Sequence, residues 1–269
     1  MPVDARATIL PQSIVPHLYH SGREGTTEVE NVTLTTRTLA ALTSYWTKRL
    51  GVENGAFDRS NVTIGGADEG GVELFRRAET LVVGAPESLV DPLSQRADGL
   101  EASDIADESA LREWFETFGT VTRVLGPTFY GYADEESFAP VASDARILTS
   151  ADEPAHDRFR AAISDEEWER AGARFSPGET VGLFVDDDLV ATAGYEVWDD
   201  FIAHVGVVTH PNHRNEGNGR AVVSRVTERA LGEGLLPQYR TADEWPWSVA
   251  LARELGFERF ATAVLVCIE

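Results

Sequence analysis

Between Phe201 and Gly219 the chain reads FIAHVGVVTHPNHRNEGNG. A valine-rich run ends at Thr209-His210-Pro211, and Arg214, Gly217 and Gly219 open the segment that follows. The pattern predicts a strand, a tight loop and the start of a helix. Backbone N–H groups converge where a helix begins, and glycine lets that backbone come close to an anion. The chemistry these residues imply is capture of a phosphate, so a phosphorylated cofactor is the expected ligand.

The elements that must hold this loop are legible around it. Phe201–Val208 reads as the strand and Gly217–Leu231 as the helix, with Val222, Val226 and Ala230 on one face. Val181–Val185 and Leu189–Trp198 form a hairpin about Asp186-Asp187-Asp188. Arg146–Leu148 is a short strand, Glu153–Ile163 a helix, and Ser164 to Glu167 has the spacing of a capping box for a second helix. Gln238–Thr241, Trp247–Leu255 and Phe257–Ile268 give a strand, a helix and a further strand. Hairpins together with a strand–helix–strand unit predict a mixed sheet in an α+β fold.

The N-terminal half is less patterned. Residues 1–30 read as an irregular lead-in. Leu34–Leu50 has helical spacing with Gly51 as a stop. Thr80–Gly84 is a strand, and Pro86–Leu93 and Asp107–Phe118 are helices. Thr122–Tyr132 is extended chain broken at Gly126-Pro127. Composition turns loop-like at Ala133–Asp144, which places a boundary between residues 1–140 and 141–269. Trp114, Phe115, Phe129, Tyr130 and Tyr132 could line an acceptor pocket or simply pack a core.

Charge narrows the setting. The 269 residues carry 45 acids against 23 bases, a net of −22, and Lys48 is the single lysine. At molar salt the Debye length is about 3 Å, so such self-repulsion is screened while carboxylates keep the surface hydrated. A halophilic, cytoplasmic protein is the expectation; an acidic face for a basic partner is the alternative. The chain has no Lys/Arg-rich block, so no nucleic acid is expected as partner. It has no apolar run near the ~20 residues a membrane span needs. Its N-terminus lacks the basic-then-apolar order of a secretory signal. Cys267 is the only cysteine, which rules out an intrachain disulfide and a thiolate metal cluster. The six histidines are scattered, so no metal is expected.

The ordered set of strand, Pro211, Arg214-x-x-Gly217-x-Gly219, amphipathic helix, strand, helix and Leu255-Gly256-Phe257 resembles the GNAT (general-control-related N-acetyltransferase) superfamily over about residues 146–269. The resemblance implies a splayed mixed sheet flanked by helices. It implies acetyl-CoA, or another acyl-CoA, as cosubstrate and a small-molecule or peptide amine as acceptor. Amides from Asn215, Glu216, Gly217, Asn218, Gly219 and Arg220 would wrap the pyrophosphate, with Arg214 and Arg220 reaching phosphate oxygens. Val207, Val208 and Thr209 would lie beside the pantetheine arm, and the amide of Val207 or Val208 would polarise the thioester carbonyl. The N-terminal half would be an acceptor-recognition domain or a degenerate copy of the fold, and a homodimer is possible.

Three positions depart from the family pattern. Ala252 stands where many members carry a tyrosine, Trp245 where an asparagine is common, and Ala203 where some place a carboxylate. His204, Glu196 and Tyr239 are the substitutes for the missing acid and base. Each also has a plain reading: a structural histidine, a solvated strand face and a core tyrosine. Two functions stay open at this point, an acyl-CoA-dependent N-acyltransferase and a catalytically silent acyl-CoA sensor or scaffold.

Overall fold

The computed structural model describes residues 33–67, 70–171 and 174–269, so the lead-in expected over residues 1–30 lies outside the described residues. One mixed sheet of ten strands runs through the molecule. Its strands are β1 (Val62–Gly66), β2 (Val72–Arg77), β3 (Thr80–Ala85), β4 (Val121–Tyr132), β5 (Arg146–Ile147), β6 (Val181–Val185), β7 (Asp188–Trp198), β8 (Ile202–Thr209), β9 (Leu236–Ala242) and β10 (Glu258–Ile268). Their spatial order is β1-β3-β2-β10-β4-β9-β8-β7-β6-β5.

The order departs from chain sequence at β1-β3 and again at the centre of the sheet. β10 lies between β2 and β4, antiparallel to both. β4 is in turn antiparallel to β9. Strands from the two halves of the chain thus alternate at the sheet's centre. The expected break at Gly126-Pro127 is instead a register shift within a continuous twelve-residue strand.

The helices are α1 (Thr36–Arg49), α2 (Glu87–Ser94), α3 (Glu108–Phe115), α4 (Glu153–Ala161), α5 (Asp165–Ala171), α6 (Asn218–Gly232) and α7 (Pro246–Glu254). Period-two burial sorts them onto two faces. Leu42 and Trp46 of α1 pack on Phe75, Tyr130, Tyr132 and Ile202. Phe159 of α4 packs on Leu189 and Val208 of the same face. Val222 and Val226 of α6, with Val249 and Ala252 of α7, cover Val205, Tyr239 and Phe129 on the opposite face. Leu93 of α2 and Leu111 and Phe115 of α3 cover Leu74 and Val264 there too. Of the aromatics that could have lined a pocket, Phe115, Phe129, Tyr130 and Tyr132 are buried in this packing.

Local chemistry fixes the ends. The Thr35 side chain accepts from Thr38 N–H to cap α1, and Asp107 accepts from Ser109 and Ala110 to cap α3. Ser164 Oγ accepts from Glu167 N–H, the cap expected before α5. The two tight hairpins turn on Asp186-Asp187 and Asp199-Asp200, all with positive φ, which suits the twist of the flanking strands. The loop between β4 and β5 is tied down: Val141 N–H donates to Ser224 Oγ at 2.9 Å and Ala139 N–H to Leu255 O at 3.1 Å. No helix among the described residues is long and apolar enough to cross a membrane.

Candidate acyl-donor cleft

β8 and β9 are parallel, and they pair only from Ile202↔Leu236 to Val205↔Tyr239. β8 continues to Thr209 and β9 to Ala242 without pairing to each other, so the sheet opens as a wedge from that point. On its other side β8 stays paired with β7 through Thr209↔Ala191.

Hydrogen-bond parity says which groups meet the wedge. His210 N–H donates to Val190 O at 2.8 Å, and Leu236 N–H donates to Phe201 O at 2.9 Å. Even-numbered residues of β8 therefore aim their backbone groups at β7 and odd-numbered ones at β9. Val207 and Thr209 face the open wedge; Val208 faces β7. Arg214 Nε donates to Thr209 O at 3.4 Å across the mouth.

The wedge leads to the start of α6. Gly217 is its N-cap, in the left-handed region at φ 83°, and no side chain caps the helix. The first N–H groups of α6 are thus left for an outside acceptor. Gly219 approaches closely: a Cβ there would sit 3.0 Å from Thr209 Oγ1 and 3.4 Å from Leu251 Cδ1. This uncapped, glycine-lined terminus beside unpaired strand amides fits a pyrophosphate with an amide-bearing arm. Asn215 is also left-handed, at φ 64°. Asn218 Nδ2 ties the loop by donating to His213 O at 3.0 Å and Glu216 Oε2 at 3.2 Å.

Both arginines expected at the phosphates hold carboxylates. Arg214 pairs with Glu167 of α5 at 2.6 Å, and Arg220 with Glu254 of α7 at 2.6 Å. Trp245, just before α7, lies under the Arg170 guanidinium at 5.8 Å.

A family model for the acetyltransferase (GNAT) family matches residues 143–257. Those residues are a GNAT acetyltransferase domain. Solved structures of similar fold include a GNAT-family acetyltransferase from Colwellia psychrerythraea, 17% identical, with TM-score 0.45 over 55% of this chain and 58% of that one. A putative GNAT-family acetyltransferase from Novosphingobium aromaticivorans is 22% identical, with TM-score 0.45 over 54% and 65%. A GCN5-related N-acetyltransferase from Kribbella flavida is 19% identical, with TM-score 0.46 over 86% and 95%. The chain spans less than two thirds of the first two of these proteins. No curated protein matches it.

Of the three acid–base candidates of the GNAT domain, two are brought together and the third is not. His204 and Glu196 are direct cross-strand partners and share the face that carries α1 and α4. Tyr239 belongs to the other face, in the core with Phe257 and Ala252. Its hydroxyl meets Ser248 Oγ of α7 at 3.0 Å, and burial raises its pKa, so it stays protonated. Ser248 was not flagged by the sequence; only its position one turn before Ala252 hinted at it. Ala252 itself is fully buried.

His204 anchors a polar chain that crosses the sheet. Its Nδ1 lies 3.1 Å from Gln238 Oε1, so that nitrogen carries the hydrogen. Gln238 Nε2 donates to the Tyr132 hydroxyl, which also accepts from Trp46 Nε1 at 2.8 Å. The Trp198 ring stacks on the imidazole at 4.4 Å. Burial first, and then the nearby Arg240 charge, push the His204 pKa down to about 3. Glu196 accepts from Trp198 Nε1 at 3.3 Å. No group of three or more His, Cys, Asp or Glu that could hold a metal occurs among the described residues.

Proposed function

We propose that this protein transfers an acetyl group from acetyl-CoA to an amine acceptor, with donor and acceptor bound together. One observation carries the reading: β8 leaves β9 after Val205, so the backbone groups of Val207 and Thr209 face a wedge that ends at the uncapped start of α6. Val207 and Thr209 would bind the amides of the pantetheine arm as a strand would. Asn218, Gly219 and Arg220 would hold the pyrophosphate through their N–H groups. When bound, the cosubstrate supplies an acetyl thioester, an already activated acyl group.

Each residue's part follows from its surroundings. The Val207 N–H can stabilise negative charge that develops on a carbonyl oxygen in the wedge. Ser248, half-buried on the α6–α7 side and hydrogen-bonded to the buried, protonated Tyr239 hydroxyl, is the proton source for a departing thiolate. His204 is neutral at pH 7, and with a pKa of about 3 it orients a proton-accepting water rather than keeping a proton itself. Its Nδ1–H is fixed by Gln238, which leaves Nε2 as the acceptor. Glu196, directly across from it, adds a second acceptor on the same face.

Gly219→Leu combined with Gly217→Val tests the cradle. The double variant is expected to lose CoA binding by calorimetry while its circular dichroism stays unchanged; unaltered affinity would refute the reading. A second reading, a silent acyl-CoA sensor, draws support from the buried Ala252 and the low basicity of His204. Thiol release from acetyl-CoA with a panel of amines separates the two. The acidic, arginine-based composition supports a high-salt cytosol, so molar KCl is the medium for that assay.

A further inference from the structure

The face of the wedge opposite α6 and α7 is where an acceptor can approach. On the α6 side Val205 and Tyr239 are sealed under Val222, Val226 and Val249. On the other side β7, β8 and β9 present Gly194, Glu196, His204, Gln238 and Arg240. Among the described residues a Cβ on Gly194 would meet nothing within 4 Å, so this face has room above β7, while Gln238 is buried and His204 lies under the Trp198 ring.

Arg240 is the unusual member. It is half-buried and pairs with Tyr130 across β4 and β9, and its guanidinium lies 4.3 Å from the Tyr130 ring centroid. The Trp198 ring centroid is 5.7 Å away. Two aromatic groups from β4 and β7 thus hold it over the closed end of the wedge. Among the described residues its guanidinium has no ion pair, in a chain with 45 acids to 23 bases. Neighbouring arginines do find carboxylates: Arg259 takes both oxygens of Asp243 at 2.9 and 2.6 Å, and Arg49 reaches Asp199. A guanidinium offers five donors in a planar fork, and that fork matches a carboxylate. Aromatic faces fix its plane without using any donor.

We infer that the acceptor is an amine that also carries a carboxylate, an amino-acid-type molecule, and that Arg240 pairs with that carboxylate. The inference rests on the transferase reading above. Arg240 sets specificity: it holds the anionic end of the acceptor while the amine reaches the thioester near Val207. A positive charge there also disfavours cationic acceptors such as polyamines.

The test measures thiol release from acetyl-CoA with free amino acids, their carboxamides and the matching decarboxylated amines. The parent protein is expected to favour at least one free amino acid over its carboxamide by about 30-fold in kcat/KM, the size of a charge-assisted pair. Arg240→Gln should bring that ratio to within about threefold of one, through KM more than kcat, and Arg240→Lys should restore part of it. CoA titration of each variant checks that the fold is intact. A parent that prefers carboxamides or amines, or a ratio unmoved by Arg240→Gln, overturns the inference while transfer itself stands. CoA binding without release from any amine overturns the transferase reading, and this inference with it.

Discussion

His204 makes the stability of this protein depend on pH in a way that one substitution should remove. In the folded chain its pKa is about 3, against 6.5 for the free side chain. The unfolded chain therefore takes up a proton first as pH falls. Stability from keeping this ring neutral is complete above about pH 6.5 and is lost progressively as pH drops toward 3. At pH 5 the loss relative to pH 8 is about 2 kcal/mol for a fully shielded ring, and ~1–2 kcal/mol once partial solvent access is allowed for. His204→Gln keeps a donor for Gln238 and removes the titration. Urea midpoints of both proteins, taken from pH 8 to pH 5 at fixed molar KCl, give the difference directly, because the other titrating groups are common to both. The parent should lose ~1–2 kcal/mol more than the variant over that interval. Parallel curves, or an NMR titration that places His204 between pH 6 and 7, would refute the placement of this ring.

Two further outcomes follow from the site. Glu167→Gln releases Arg214 from its ion pair and removes a negative charge near the α6 cradle. CoA should then bind up to about fivefold more tightly by calorimetry, and an unchanged Kd would mean that Arg214 stays away from the phosphates. Ala252→Tyr, which restores the tyrosine of many GNAT proteins, should cost about 1–3 kcal/mol in chemical denaturation and give no faster thiol release, because Ala252 is fully buried. Faster release from a variant as stable as the parent would place that side chain at the wedge instead.

The strand, loop and helix that bound the wedge were legible in the sequence because their signals are local. Arg214, Gly217 and Gly219 sit within six residues, and the helix after them declares itself by Val222, Val226 and Ala230. The hairpin at Asp186-Asp187 is written in its turn residues, and α1 begins and ends within two residues of its predicted span. Pairing between distant segments has no such signal. Nothing near Glu258–Ile268 says that it lies between β2 and β4, and the strand Val62–Gly66 was not predicted at all. The choice of Val207 over Val208 needed hydrogen-bond parity, which depends on the partner strand. Arg240 went unflagged, although Gln238 and Arg240 are polar residues two apart in a strand enclosed on both sides. That alternation was the available clue to a polar surface inside the sheet.

The position of β10 has a consequence for the order of folding. The strands on either side of it, β2 and β4, come from residues 72–77 and 121–132, whereas β10 begins at residue 258. During synthesis those two edges wait, unpaired, until more than a hundred further residues have been made. Hydrophobic edges held open for that long invite pairing with other chains. Closure across such a separation carries a large loop entropy and is slow for its size. The hydrated carboxylates, read above as a response to salt, also keep such half-finished chains soluble while the middle of the sheet is still missing.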